Sequence, residues 1–232
     1  MDPNYREQVQ LLISVIPEIA KEECFALHGG TAINLFMDNM PRLSVDIDLT
    51  YIPIEDRATS LENIKASLDN IKQHIIRYVP SSKVQHNIKS SRLIVTNASA
   101  IIKIEANQVV RGTIKPPELK ILCEKAQVDF DAFCEISIVH HGQLYGGKIC
   151  AALDRQHPRD LFDIKKLLST TGITKDIKTG FLLSLLSTNR PAYEILRPNF
   201  LNQRETLEKH FTGMTNRKLP LKTDISKLEN FC

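Results

Sequence analysis

The chain reads as an α+β protein, a mixed β-sheet flanked by helices and followed by a C-terminal helical part. Three observations predict it. Residues 43–51 alternate: Leu43, Val45, Ile47, Leu49 and Tyr51 face one way and Ser44, Asp46, Asp48 and Thr50 the other, the period of two of a strand with unlike faces. Residues 55–78 place Ala58, Leu61, Ile64, Leu68, Ile71, Ile75 and Ile76 at helical spacing. From Leu144 onward every periodic segment is helical.

In chain order, residues 4–23 carry Val9, Leu12, Ile13, Ile16 and Ile19 at intervals of three and four, an amphipathic helix bent or interrupted near Pro17. Residues 24–27 form a short apolar strand that runs into Gly29-Gly30. A helix over 31–37 buries Ala32, Ile33, Leu35 and Phe36, and Pro41 marks the loop before the alternating strand. Pro80 stops the long helix. Strands follow at 91–96 and 99–106; the second puts Ile102, Ile104 and Ala106 on one face and Ile101, Lys103 and Glu105 on the other. Weak strands are read at 118–123 and 134–140, with Pro116-Pro117 as a loop.

The helical segments are 144–153, 158–169, 177–186, 192–196 and 200–210, punctuated by Gly142, Pro158, Gly172, Pro191 and Pro198. The expected division is therefore an α/β domain over 1–141, a helical domain over 142–211 and a polar tail of uncertain order over 212–232.

Composition narrows the class. With 232 residues and 42% apolar content the chain can fill an ordinary core. A net charge of +3 is too small to identify a nucleic-acid partner. The five cysteines are scattered and form no C-x-x-C pair, so they read as buried thiols in a reducing compartment. No run reaches the roughly 18 apolar residues of a membrane span, and MDPNYREQVQ is no signal peptide. The expected location is the cytoplasm.

The stretch from His28 to Tyr51 carries the chemistry. A Gly-Gly-Thr turn entering a helix exposes backbone N–H groups, so Gly29, Gly30 and the Thr31 hydroxyl form either a phosphate cradle or an ordinary strand-to-helix turn. Asp46 and Asp48 lie about 7 Å apart along a strand, either as hard oxygen ligands for Mg²⁺ or as solvated acids of an edge strand. Ser44 shares their face, either as a phosphate contact or as an ordinary serine at a strand start. Arg42, just before the strand, is a candidate for phosphate or RNA contact. His28 and His140-His141 lack metal-type spacing and read as structural or surface groups. No Gly-x-Ser-x-Gly elbow or Cys/His pairing supports a hydrolase.

In order and spacing, GGT followed by RLSVDIDL resembles the DNA polymerase beta-like nucleotidyltransferase superfamily, and specifically the AbiEii toxin family of type IV toxin-antitoxin systems. KIEAN at 103–107 is similar to the strand bearing that superfamily's third carboxylate, and GGKICAALDRQHPRDLFDI at 146–164 to its later lysine and R-D-x-x-D motifs. The resemblance implies a nucleotidyltransferase fold and transfer of NMP from an NTP with Mg²⁺ or Mn²⁺ held by Asp46, Asp48 and Glu105. It also implies that Lys148 meets the triphosphate and that Asp160 is catalytic or orients Lys148, with Asp163 one turn on. Without it, Lys148 is a solvated lysine and Asp160 a favourable acid in a first helical turn. Arg155 and Arg159 are candidates for phosphate or RNA contact, or solvated charges. Glu105 departs from the aspartate common in the superfamily.

The implied partners are an NTP, an RNA acceptor such as the tRNA 3′ end and a cognate antitoxin, with no membrane. A different class of function also fits the fold, a non-catalytic nucleotide-binding or protein-interaction module. A third reading is an enzyme that modifies a protein hydroxyl at the same site.

Overall fold

A computed structural model describes residues 2–215, so the tail residues beyond 215 and Cys232 lie outside the described part. The centre is one seven-stranded mixed sheet in the order β3-β4-β5-β2-β1-β7-β6. The strands are β1 (Phe25–His28), β2 (Asp46–Tyr51), β3 (Lys83–Asn87), β4 (Arg92–Thr96), β5 (Ile101–Ala106), β6 (Glu118–Ile121) and β7 (Glu135–Ile138). β2 runs antiparallel to β1 and parallel to β5, while β1 and β7 are parallel. The helices are α1 (Pro3–Ala20), the single turn α2 (Gly29–Thr31), α3 (Arg57–Tyr78), α4 (Glu124–Phe130), α5 (His141–Arg155), α6 (Pro158–Ser169), α7 (Lys175–Leu186), α8 (Ala192–Leu196) and α9 (Arg204–His210). The mixed sheet flanked by helices is the predicted class.

Several boundaries differ from expectation for physical reasons. α1 begins where Asp2 accepts the Asn4 N–H at 2.8 Å and Pro3 occupies the first turn. It continues through Pro17 to Ala20, without the backbone bond that position 17 would otherwise donate. The strand expected from Leu43 starts at Asp46 instead; the Leu43 N–H is taken by the Met214 carbonyl at 2.7 Å, where the chain returns to the sheet. Ala32–Met37 is π-helical, with Asp38 N–H bonded to the Ile33 carbonyl five residues back at 2.8 Å. Such segments are frequent beside functional sites.

Within α3 the buried positions are Ser60, Ile64, Leu68, Ile71 and Ile75, and Ile76, expected inside, is 48% exposed. β3 and α4 carry too few apolar residues to have been visible in the sequence. α5 starts three residues earlier than expected and packs on α7 through glycines. A Cβ on Gly146 would stand 2.2 Å from the Phe181 backbone nitrogen, and one on Gly180 would stand 2.1 Å from the Gly142 carbonyl. This backbone-to-backbone approach holds α5 over the end of the sheet.

The sheet's two faces differ. Val84, Leu93, Val95, Ile102, Ile104, Ile47 and Leu49 are buried on one, with Ile64, Leu68, Ile71 and Ile75 of α3 in the same core. Leu144, Tyr145, Ala152, Ile164, Leu167, Ile177, Phe211 and Met214 join that core from the later helices. Cys134 and Cys150 are buried and Cys24 and Cys123 half-buried, all as free thiols. Among the described residues no helix is long and apolar enough to cross a membrane.

Candidate active site

Strand pairing assembles the acids. In β2–β5 Asp46 is the register partner of Lys103 and Asp48 that of Glu105, while in β1–β2 Asp48 faces His28. Paired positions share a face. Asp46, Asp48 and Glu105 therefore stand together on the face opposite the core, as the alternation predicts.

Asp48 lines a cleft of about 510 Å³ with His28, Gly29, Glu105, Lys148 and Arg155. Burial pushes its carboxyl up to about 6, and the neighbouring charges of Asp46 and Glu105 add to that against the lowering effect of Lys148. Like-charged carboxylates at neighbouring strand positions suit a hard divalent cation, which relieves their repulsion. Among the described residues Asp46, Asp48 and Glu105 do not bring three ligand atoms within 4.8 Å of one another, and Asp46 lies outside the cleft lining. Gly29 has φ +73°, and a Cβ there would lie 2.1 Å from Asp48 Oδ2. Only glycine lets the turn approach the carboxylate.

The other turn residues are more enclosed. The fully buried Thr31, expected to offer its hydroxyl to a phosphate, donates it to the Asp46 carbonyl at 2.5 Å and so fixes the start of β2. Ser44 is also buried, its Oγ 2.9 Å from the position of a Cβ on Gly30.

Lys148 comes from α5 across the cleft and is only 7% exposed. Its Nζ donates to Asp160 Oδ1 at 3.0 Å and lies 3.4 Å from Asp163 Oδ2. Asp160, in the first turn of α6, also receives Arg155 Nε at 2.6 Å. The two cations outweigh its burial and hold its carboxyl well below the usual range. Arg159 reaches Asp46, Nη1 to Oδ2 at 3.4 Å.

Three residues take places that the sequence did not suggest. Arg42, a candidate for phosphate or RNA contact, is 1% exposed and clamps Asp163 with Nε at 2.8 Å and Nη2 at 2.5 Å. It is a structural brace. Asn34 joins the same carboxylate at 3.2 Å, tying the π-helical segment to α6. Glu105 is paired with Arg92, its register partner in β4, through Nε at 2.7 Å and through Nη2. A cation opposite an acid on antiparallel strands was the available signal for this pair, and it needs the register to be seen.

His28, read as structural or surface, lines the cleft with Nδ1 3.3 Å from Thr50 Oγ1, and burial holds its ring neutral with a pKa down at about 4. His140, His141 and Glu118 lie outside this lining, with ligand-type atoms within 4.8 Å of one another. His140 Nδ1 accepts the Gly142 N–H at 3.2 Å, and Nε2 lies 3.9 Å from both Glu118 and Asp176.

The chain matches, over residues 10–230, the family described as nucleotidyl transferase AbiEii toxin, type IV TA system. It belongs to that family. The AbiEii chain is accordingly a nucleotidyltransferase, of a class that uses an NTP and a divalent metal. Among solved structures it is similar in fold to MenT4, a nucleotidyltransferase toxin from Mycobacterium tuberculosis H37Rv, with a TM-score of 0.65 at 14% identity over 87% of this chain and 75% of that one. No curated protein matches.

Proposed function

We propose that this AbiEii-family protein is an Mg²⁺-dependent toxin that transfers NMP from an NTP to the 3′ hydroxyl of an RNA, with the tRNA 3′ end as the expected acceptor, until a cognate antitoxin counters it. The observation that supports this most is the convergence of Asp48, Glu105, Gly29 and Lys148, from two sheet strands, the turn and α5, on one cleft.

In this reading Asp46 and Asp48 hold the divalent ion, Mg²⁺ or Mn²⁺, and Glu105 stands beside them, neutralised by Arg92. The ion supplies charge neutralisation for the attacking and leaving oxygens. The backbone around Gly29 and Gly30 approaches the triphosphate, and the Lys148 ammonium faces it as a compact cation. Asp160 and Asp163 hold that ammonium in place. The acceptor oxygen bonds to the α-phosphorus, the bond to the β-phosphate bridge breaks, pyrophosphate leaves and the hydroxyl proton passes to solvent. Positioning and electrostatics carry such a reaction.

The test is incubation with each NTP labelled on its α-phosphate, Mg²⁺ and total RNA, beside the Asp46→Ala and Lys148→Ala variants. Label in tRNA with wild type alone supports the proposal. Label in a protein and not in RNA replaces the acceptor, and equal labelling by all three proteins removes these residues from the mechanism.

A further inference from the structure

The half of the sheet beyond the acids has one covered face and one open face. α3 covers the first: Val84, Leu93 and Val95 are buried there, and His86 meets Asp69 of α3 at 2.7 Å. On the other face β3–β4–β5 show alternate residues to solvent. Lys83, Gln85, Asn87, Ile101 and Lys103 are exposed, and Arg92, Ile94 and Thr96 half-buried.

The register arranges these side chains in rows that cross the strands and end on the acids. One row runs Gln85, Ile94, Lys103, Asp46, and the next runs Asn87, Arg92, Glu105, Asp48. Each begins with an amide at the sheet edge, passes a cation and stops at one of the two aspartates. From β3 to β2 is three strand spacings, about 14 Å.

Charge along this surface is one-sided. Among the described residues its one acid before the aspartates, Glu105, is already bonded to Arg92, and neither Lys83 nor Lys103 has an ion-pair partner. Lys103 is on the strand next to Asp46 and in register with it, yet forms no bridge to it; the Asp46 carboxylate turns to Arg159 instead. An unpaired cation beside the reacting acids, Lys103, and another at the sheet edge, Lys83, suit a polyanion that arrives with its end at those acids.

We propose that the open face of β3–β4–β5 is the acceptor platform, binding the phosphates of a single-stranded RNA 3′ end through Lys83 and Lys103 and leading its terminal hydroxyl to Asp46 and Asp48. This rests on the RNA-transfer reading above and deepens it. Gln85 and Asn87 offer amide groups to base edges or 2′-hydroxyls near the sheet edge, and Ile94 offers an apolar surface between them and the phosphate contacts. The Arg92–Glu105 pair screens the acid from the incoming strand and keeps the second row open.

The test compares wild type, Lys83→Gln/Lys103→Gln, Lys83→Arg/Lys103→Arg and a Lys65→Gln/Lys72→Gln control on α3, behind the sheet. Two readouts are taken: anisotropy of a 5′-fluorescent RNA hairpin with a single-stranded 3′ end over a salt series, and the KM for that RNA and for the NTP. The glutamine pair is expected to raise the RNA KM roughly tenfold with the NTP KM unchanged, and to make the salt dependence shallower by about 1.4, at about 0.7 per lost contact. The arginine pair is expected to keep binding, and the α3 control to match wild type. If wild type labels RNA and the glutamine pair does so at the wild-type KM, or the α3 control loses as much, the platform is wrong while the transferase reading stands. If wild type labels a protein and no RNA, the acceptor assignment itself fails, and the platform with it.

Discussion

Lys148 Nζ and Asp160 Oδ1 stand 3.0 Å apart, both side chains almost fully removed from solvent, and Asp160 is bonded on its other oxygen to Arg155 at 2.6 Å. One buried carboxylate thus orders two cations facing the same cleft. The arrangement predicts different outcomes at its two ends. Lys148→Met leaves Asp160 with Arg155 and Asp163 with Arg42, so the fold persists while NMP transfer falls by about 10²-fold or more, the usual cost of removing one charge-stabilising group. Asp160→Asn leaves Lys148 with Asp163 alone and the exposed Arg155 to solvent, and destabilises the protein by about 2 kcal/mol as well. Activity assays paired with urea unfolding separate the two.

Arg42 is expected to matter for folding only. Arg42→Lys cannot reproduce the two-pronged grip on Asp163, and a buried carboxylate is left short of partners. A loss of about 3 kcal/mol in urea unfolding is predicted. A variant of unchanged stability with a raised KM for RNA would return Arg42 to the substrate surface.

Gly29 and Gly172 separate crowding from backbone strain. Both have positive φ, +73° and +70°, but a Cβ at 172 meets nothing within 4 Å, whereas one at 29 meets Asp48. Gly172→Ala should cost about 1 kcal/mol and leave turnover alone. Gly29→Ala should displace the Asp48 carboxylate and lower turnover at least tenfold, an effect on the scale of misplaced reacting groups. Equal turnover in the two variants would mean that the Gly29 approach to Asp48 has no role.

His157 caps α6 by accepting the Arg159 N–H on Nδ1 at 3.2 Å, which needs an unprotonated nitrogen. Burial, with Arg159 adding to it, moves its pKa from 6.5 down to about 4. Folding therefore favours the neutral ring. This contribution is present in full above pH 6.5 and is lost as the pH falls through 4. His157→Asn keeps a capping acceptor and removes the titration, so its melting temperature should decline less than that of wild type between pH 6.5 and 4. Parallel declines would assign the acid sensitivity to other groups.

What the sequence revealed follows from the range of each interaction. The alternation of β2, the stripe of α3 and the Pro-capped start of α6 are local patterns, and the structure shows all three. Asp46 and Asp48 share a face because strand period alone decides that, whereas Glu105 joins them only through the β2–β5 register. The pairings Arg42–Asp163 and Arg92–Glu105 join residues from different elements, and nothing within one segment reports them. Thr31 was legible as a turn residue, but its hydrogen-bond partner was not, since its hydroxyl reaches β2. β3 was missed because its solvent face carries Lys83, Gln85 and Asn87, polar residues that dilute the apolar signal of Val84.

Asp46 and Asp48 are expected to form one divalent-cation site completed by the nucleotide. Mn²⁺ binding, followed by electron paramagnetic resonance with and without a non-hydrolysable NTP analogue, tests it most directly. Wild type should bind Mn²⁺ tightly only with the analogue present, Lys148→Met more weakly, and Asp46→Asn/Asp48→Asn not at all above background. Nucleotide-dependent binding that survives intact in the double variant would place the ion elsewhere and contradict the account.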